Sequence, residues 1–592
     1  MKISEFVANY IAGLSTGDKK NVYAICGAGA MHLNDAICHH PGIEVIPMQH
    51  EQAATYAAEC EARVTNNIGV VHVTTGPGGS NAITGVACAY VDSIPLLVIA
   101  GQVAQSQSTV VGNADAMGLR QAGMNELDMV ALMQPVTKYA KTMTQPLMAR
   151  YDLEKAVYMA THGRKGPVFL EIPLDIQATE IEPDKLGGFD PVELDPGIGL
   201  DYIENAADAV RLRLEQARRP VIIFGNGVRL AGAEDELLRV IDELACPVVS
   251  SWTASDILPN AHPSYIGRCG LFGDIPSNYA VQHSDCLLCI GTRLSVAQIG
   301  HHPKLFAPDA FKIVVDVDPY EARKASVNAD LAVIADAKQF LQAFRGAKTN
   351  SEWLRSRQVA RDNTAPFAGE PGYVVNAYDF VKTLQRNLTD DAIVVTDVGF
   401  SFIPPMQTLK LKAGQRLIHS CGVSPMGWAI PASVGASMAD RKRQVICLTG
   451  DGGAMMNCQE LLTLAQRNLK VIVVVFCNDG YATMRIAQRN HFGRDSISGS
   501  ESGLNIPPST FVGLGAIFGF ATLDVWNKES ARQAVPIAMK TAEYDPVMVV
   551  LHLGTEQVIA PRVQAKIVGD KFAPASLTDM WMPEDVTDKL LV

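Results

Sequence analysis

Asp451 lies within Gly450-Asp451-Gly452, and Asn478 opens Asn478-Asp479-Gly480, 27 residues beyond Asp451. Each turn follows an apolar, β-branched run of strand length, Gln444–Leu448 and Val471–Cys477. If those runs lie in one parallel sheet, both turns emerge at the carboxyl edge, where ligands of such sheets sit. A carboxylate and an amide oxygen then converge. These are hard ligands of the kind Mg²⁺ takes together with the oxygens of a bound phosphate. Gly450, Gly452 and Gly453 let a diphosphate approach the backbone, and the helix beginning near Ala454 turns its N-terminus toward the anion. Gly-Asp-Gly alone would read equally well as an ordinary strand-end turn; the second strand-end Asn favours the metal–diphosphate reading.

The elements that must position these residues recur along the chain. Runs such as Val22–Cys26, Gly69–Val73, Leu96–Ala100, Val221–Phe224, Cys286–Ile290 and Val547–His552 alternate with stretches long enough for helices. This grammar predicts an α/β protein of doubly wound parallel sheets covered on both faces. Residues 176–200 and 346–373 read as linkers, rich in Pro, Gly and polar residues. They divide the 592 residues into units at about 1–180, 195–345 and 374–555, with a tail at 556–592. Apolar residues make up 48% and the net charge is −12, so disorder is excluded and a general nucleic-acid binder disfavoured. No apolar run reaches the ~18 residues of a membrane span, and Met1–Glu5 lacks the start of a secretory signal. The 12 Cys, with Cys286 and Cys289 in one strand-like run, read as reduced core residues. These features together predict a cytoplasmic protein. His39-His40 and His301-His302 read as surface histidines, because adjacent side chains diverge.

Gly450–Asn478 resembles the thiamine-diphosphate (ThDP) binding motif, and further segments agree with it in order. Gln49–Ala54 looks like the segment carrying the family's activating glutamate. Thr74–Asn81 looks like the glycine loop of its pyrimidine domain, and Gly422–Pro431 like the segment that bends the cofactor. Asp92–Pro95 and Gly101–Val103 are similar to acetolactate synthase-like members. The chain is thereby identified as a member of the ThDP-dependent enzymes, with a pyrimidine domain, a central flavin-type domain and a diphosphate domain.

The resemblance implies that Glu51 hydrogen-bonds the aminopyrimidine ring and that Met426 is the apolar wedge beneath the cofactor. Asp451, Asn478 and the Gly480 carbonyl would hold Mg²⁺. Gly27, Thr75, Pro77, Asn81, Ser424, Gly450, Gly452, Gly453 and Ala454 would lie near the cofactor or reaction centre. Gly225, Gly227, Gly270, Gly273, Arg293, Asp316 and Asp318 match segments that contact FAD in acetolactate synthases, where the flavin has no redox role. The family also implies a homodimer or homotetramer, with each cofactor held between two subunits. Departures bear on substrate. Leu174 stands where acetolactate synthases carry lysine, Asn125 where they carry glutamine, and Phe400-Ser401 where they carry Gln-His. Such departures are similar to carboligases of polysaccharide and deoxysugar pathways. They predict a carboligase that decarboxylates a 2-keto acid such as pyruvate and passes the two-carbon unit to a ketone, aldehyde or keto sugar nucleotide. Acetolactate synthase proper and a flavin-dependent pyruvate oxidase are the alternatives. The tail, with Phe572, Met580, Trp581 and Met582, reads as a lid or as packed surface.

Overall fold

The computed structural model describes residues 1–112, 118–194, 199–369, 374–498, 505–564, 566–568 and 571–583. Three six-stranded sheets follow one another along the chain. The first contains β1 (Lys20–Ala24), β2 (Ile43–Pro47), β3 (Gly69–Val73), β4 (Leu96–Gln102), β5 (Tyr139–Thr142) and β6 (Pro167–Pro173). The second contains β7 (Pro220–Phe224), β8 (Val248–Ser250), β9 (Tyr265–Arg268), β10 (Cys286–Ile290), β11 (Phe311–Asp316) and β12 (Leu331–Ile334). The third contains β13 (Ile393–Thr396), β14 (Arg416–Ile418), β15 (Val445–Gly450), β16 (Val471–Cys477), β17 (Ala521–Val525) and β18 (Val547–His552). Neighbouring strands in these sheets run parallel.

The strand orders decide where ligands can sit. The first sheet runs β2-β1-β3-β4-β6-β5 and the third β14-β13-β15-β16-β18-β17, so the two share one topology. The second runs β12-β11-β10-β7-β8-β9, which is the dinucleotide-binding order. In the interior of each sheet the order reverses at β1/β3, β7/β10 and β13/β15. A crevice opens beyond the strand ends at such a reversal. The chain leaves those ends through Gly27 and Thr75, through Gly225 and Gly291, and through Asp397 and Asp451. The sequence motifs therefore fall on the three places where the topology makes a crevice.

The first and third units share one apolar core. The helices Glu51–Thr65 and Ala429–Ala439 pack along small residues, Ala53, Ala54, Ala57 and Ala58 against Ala432, Gly435 and Ala436. A Cβ at Gly435 would overlap the Ala57 carbonyl, so this contact requires glycine. The buried Trp428 indole donates to Glu59 Oε2 at 2.8 Å and fixes the register of the pair. That contact also fixes Glu51, the first residue of its helix.

The stretch read as a polar linker over 346–373 holds a helix, Ser351–Asn363, capped by the Asn350 side chain. Its one fully buried residue, Leu354, joins Trp353 on the central core. A helix anchored by so narrow a face carries too few apolar residues to show a helical period. Residues 370–373 and 195–198, where the other boundaries were drawn, lie outside the described residues. The described tail packs on the central unit: Val563 N–H donates to the Leu271 carbonyl at 2.7 Å, and Leu577 is buried in the central core. The Phe572 side chain and residues 584–592 lie outside the described residues. The 12 cysteines, Cys286 and Cys289 among them, are free. Among the described residues no cluster of His, Cys, Asp or Glu is built to hold a metal by itself. No helix there is long and apolar enough to cross a membrane.

Candidate active site

Beyond β15 and β16 the two sequence-predicted turns meet. Asp451 Oδ2 accepts the backbone N–H groups of Asn478 at 2.9 Å and Gly480 at 3.0 Å, and its Oδ1 accepts that of Gly452 at 2.7 Å. Burial pushes the Asp451 carboxyl up to about 6, against the three N–H groups that favour its charged form. The Asn478 side-chain amide is buried and makes no hydrogen bond to a described residue, while the Asn478 backbone carbonyl accepts from Arg485 Nη2 at 2.6 Å. One carboxylate, one unengaged amide and a nearby turn carbonyl make an incomplete cation shell. Such a shell suits a metal that completes its coordination on a ligand's phosphates. The donor set at Asp451, Asn478 and Gly480 thus fits Mg²⁺ bound together with a diphosphate.

Met426 and Tyr481 both lie against Gly452. A Cβ there would overlap the Tyr481 ring and lie 3.0 Å from the Met426 methyl. Gly452→Ala is expected to displace both, an overpacking cost of about 1–3 kcal/mol, or roughly ten- to a hundred-fold in ThDP-dependent turnover. Carbon dioxide release titrated against ThDP checks this. Ser424, half a turn before Met426, adopts a left-handed conformation with φ 53° and donates to the Cys421 carbonyl. Gly453 and Ala454 are buried in the first turns of the helix Asp451–Met456.

A residue that motif reading passed over organises this edge. Asp397, directly after β13, receives Thr449 Oγ1 at 2.9 Å and the Gly427 N–H at 3.1 Å. It ties β13, β15 and the Met426 turn together. Full burial raises its carboxyl to about 6. The signal was present in Thr396–Gly399, an acid immediately after a β-branched run.

The first unit builds a second cluster. Glu51 is buried, and its Oε2 accepts Asn81 Nδ2 at 3.0 Å. Asn81 lies on the helix Pro77–Asp92, whose first residue is Pro77. Gly27 packs on Thr74, and Gly29 on the buried Thr75 hydroxyl, which has no hydrogen-bond partner among the described residues. The Gly27 carbonyl is held by Asn34 Nδ2 at 3.0 Å. Asn125 is exposed with φ 65°, and its carbonyl lies against Gly76. Leu174 is half-buried at the start of the helix Leu174–Ala178, which follows β6 at the same sheet edge. Gln177 on that helix donates to the Gly29 carbonyl at 2.8 Å, pinning it to the Gly27–Gly29 loop. Among the described residues no hydrogen bond joins Glu51 to Asp451, Asn478 or Met426.

The β7/β10 reversal opens into a cavity of about 430 Å³. Gly227, Arg293 and Asp316 line it; Gly225, Gly270, Gly273 and Asp318 do not. Gly225 packs against Gly291, and Gly270 supports the cavity wall at Ala297. Gly273 closes a turn on Gly270, and Asp318 is taken by Arg164 at 2.8 Å. Burial raises the Asp316 carboxyl to about 6. Ser93, His162, Arg164 and Lys165 of the first unit close the cavity, a wall that central-domain motifs could not reveal. The crevice, its glycine-packed floor and its strand-end acid fit a nucleotide-bearing cofactor such as FAD.

Three families match along the chain. They are the thiamine pyrophosphate enzyme N-terminal TPP binding domain at residues 4–132, its central domain at 207–344 and its C-terminal TPP binding domain at 397–551. The acetolactate synthase large subunit of Lactococcus lactis is 28% identical over 570 residues, 94% of each chain. That of Buchnera aphidicola from Schizaphis graminum is 30% identical over 536 residues, 88% of this chain and 90% of its own. The isozyme 3 large subunit of Escherichia coli is 31% identical over 488 residues, 77% of this chain and 79% of its own. With its three parallel sheets and the turns at their reversals, the chain belongs to the thiamine pyrophosphate enzyme family and is a ThDP-dependent enzyme similar to acetolactate synthase large subunits.

Proposed function

We propose that the enzyme is a carboligase that takes a two-carbon unit from pyruvate and joins it to a neutral acceptor carbonyl, a ketone, an aldehyde or a keto sugar nucleotide. Bound ThDP supplies the electron sink for decarboxylation. In the overall reaction the bond from the pyruvate keto carbon to its carboxylate breaks and carbon dioxide leaves. The electron pair of that bond forms the new carbon–carbon bond, and one proton reaches the acceptor oxygen. The residues divide the remaining work. Glu51, held by Asn81, would orient the aminopyrimidine and supply the acid–base group for it, and Thr75 would offer a buried hydroxyl. Met426 would pack against the cofactor, while Asp451, Asn478 and Gly480 would hold Mg²⁺ and the diphosphate. The Glu51 and Asp451 half-sites belong to different active centres, so a homodimer is the smallest active unit, and FAD fills the central cavity in a structural role.

The observation that carries the acceptor assignment is Leu174. It sits on a helix pinned by Gln177 to the Gly27–Gly29 loop, and it offers a hydrocarbon where a lysine would offer an ammonium. Phe400 is likewise buried and apolar, and the Ser401 hydroxyl is spent on the Val398 carbonyl at 2.9 Å. A carboxylate-bearing acceptor finds no cation at these positions. A charge-assisted hydrogen bond is worth about 1.5–3 kcal/mol, roughly ten- to a hundred-fold in selectivity. Leu174→Lys is expected to shift products toward acetolactate by that factor, read as the product ratio by mass spectrometry. The relatives' acetolactate synthase activity is the second reading, and an unchanged ratio in the variant would favour it.

A further inference from the structure

A second cavity, of about 330 Å³, shares no lining residue with the one at β7/β10. It lies where the central unit, the segment after the helix Ser351–Asn363, the third unit and the C-terminal segment meet. Ile275, Pro276, Phe367 and Met582 give it an apolar wall, with Phe367 edge-on to Tyr378 at 4.9 Å between ring centres. Tyr378 and Gln407, on its wall, are already engaged. Tyr378 Oη donates to Gln407 Oε1 at 2.8 Å, and Gln407 Nε2 donates to the Pro561 carbonyl at 2.7 Å.

The lining carries two acids and two cations, but they are unevenly paired. Asp274 accepts the Arg268 N–H at 2.8 Å and stands 4.0 Å from Arg268 Nη1. Asp362 is paired with Arg361 Nε at 2.8 Å. That accounts for both acids on the wall. Lys410 remains: its Nζ makes no hydrogen bond or ion pair with a described residue. Desolvation holds its ammonium below the ordinary lysine pKa; Asp274 attracts it, and Arg268 and Arg361 repel it. Arg361 Nη1 is bound to the Tyr265 carbonyl at 2.8 Å, and its Nη2 has no partner among the described residues. A cavity with an apolar lining, one ammonium without an ion-pair partner among the described residues and one guanidinium nitrogen left over has the form of a site for an amphiphilic anion.

We propose that this cavity binds a small organic anion, an apolar body carrying one carboxylate, sulfonate or phosphate group that is met by Lys410 and Arg361. The probe is 8-anilinonaphthalene-1-sulfonate, followed by fluorescence on the full chain preloaded with ThDP, Mg²⁺ and FAD. The expected result is saturable binding whose dissociation constant rises at least tenfold in Lys410→Glu and stays within threefold in Lys410→Arg. The uncharged N-phenyl-1-naphthylamine should bind the three proteins alike. If Lys410→Glu melts early by circular dichroism, Lys410→Ala replaces it, with a rise of about fivefold expected. The proposal is overturned if no saturable binding appears, or if the sulfonate binds the folded Lys410 variants as tightly as the parent.

Discussion

Glu51→Gln is expected to leave a folded protein whose carbon dioxide release from pyruvate has fallen by about 10²–10⁴-fold, the usual worth of a positioned acid–base group. Folding should survive because the amide oxygen of Gln can accept from Asn81 Nδ2 as the carboxylate does at 3.0 Å. The helix beginning at Glu51 is held far along its length, by Trp428 on Glu59 and by the small-residue contact with Ala429–Ala439. What the amide cannot do is exchange a proton. A melting curve superimposable on the parent, with turnover within fivefold of it, would remove Glu51 from the chemistry.

Asp451→Asn is expected to raise the Mg²⁺ concentration for half-maximal activity by at least a hundred-fold, with ThDP affinity falling in parallel. Changes in residues that only support a ligand typically cost ten- to a hundred-fold in metal affinity, and loss of a direct carboxylate should exceed that. The substitution also strikes the turn itself. Asp451 receives three backbone N–H groups, and an amide nitrogen in place of one oxygen turns an acceptor into a donor facing them. One buried group left unsatisfied costs about 1–3 kcal/mol. Titration of activity against Mg²⁺ separates the two effects, because excess metal restores affinity but not a deformed turn. Equal Mg²⁺ dependence in parent and variant would place the metal elsewhere.

The sequence made some features legible and concealed others, for physical reasons. Central strands such as β16, buried on both faces, read as unbroken apolar runs. Edge strands such as β5 and β17 are half-buried and lack that run. The Gly-Asp-Gly and Asn turns were visible because each follows a central strand, β15 at the reversal and β16 beside it. Asp397 and Gln177 were not singled out, because their roles arise from bonds across 52 and 148 residues, to Thr449 and to Gly29. The central cavity was half legible: Gly227, Arg293 and Asp316 lie on it, while Asp318 is diverted to Arg164. Arg164 belongs to another unit, and no local pattern announces such a partner. The polar helix Ser351–Asn363 was hidden by its own composition, since only Leu354 is fully buried.

The most direct test of the central claim is a competition for acceptor. The enzyme, with ThDP, Mg²⁺ and FAD, is given carbon-13-labelled pyruvate together with a panel of aldehydes, ketones and keto sugars, and the products are identified by mass. The account predicts that labelled two-carbon units appear chiefly on a neutral carbonyl, one carbon dioxide being released for each. Acetolactate exceeding every neutral product by tenfold or more would contradict it. The apolar Leu174 and Phe400 would then have to be read as tolerated within an acetolactate synthase.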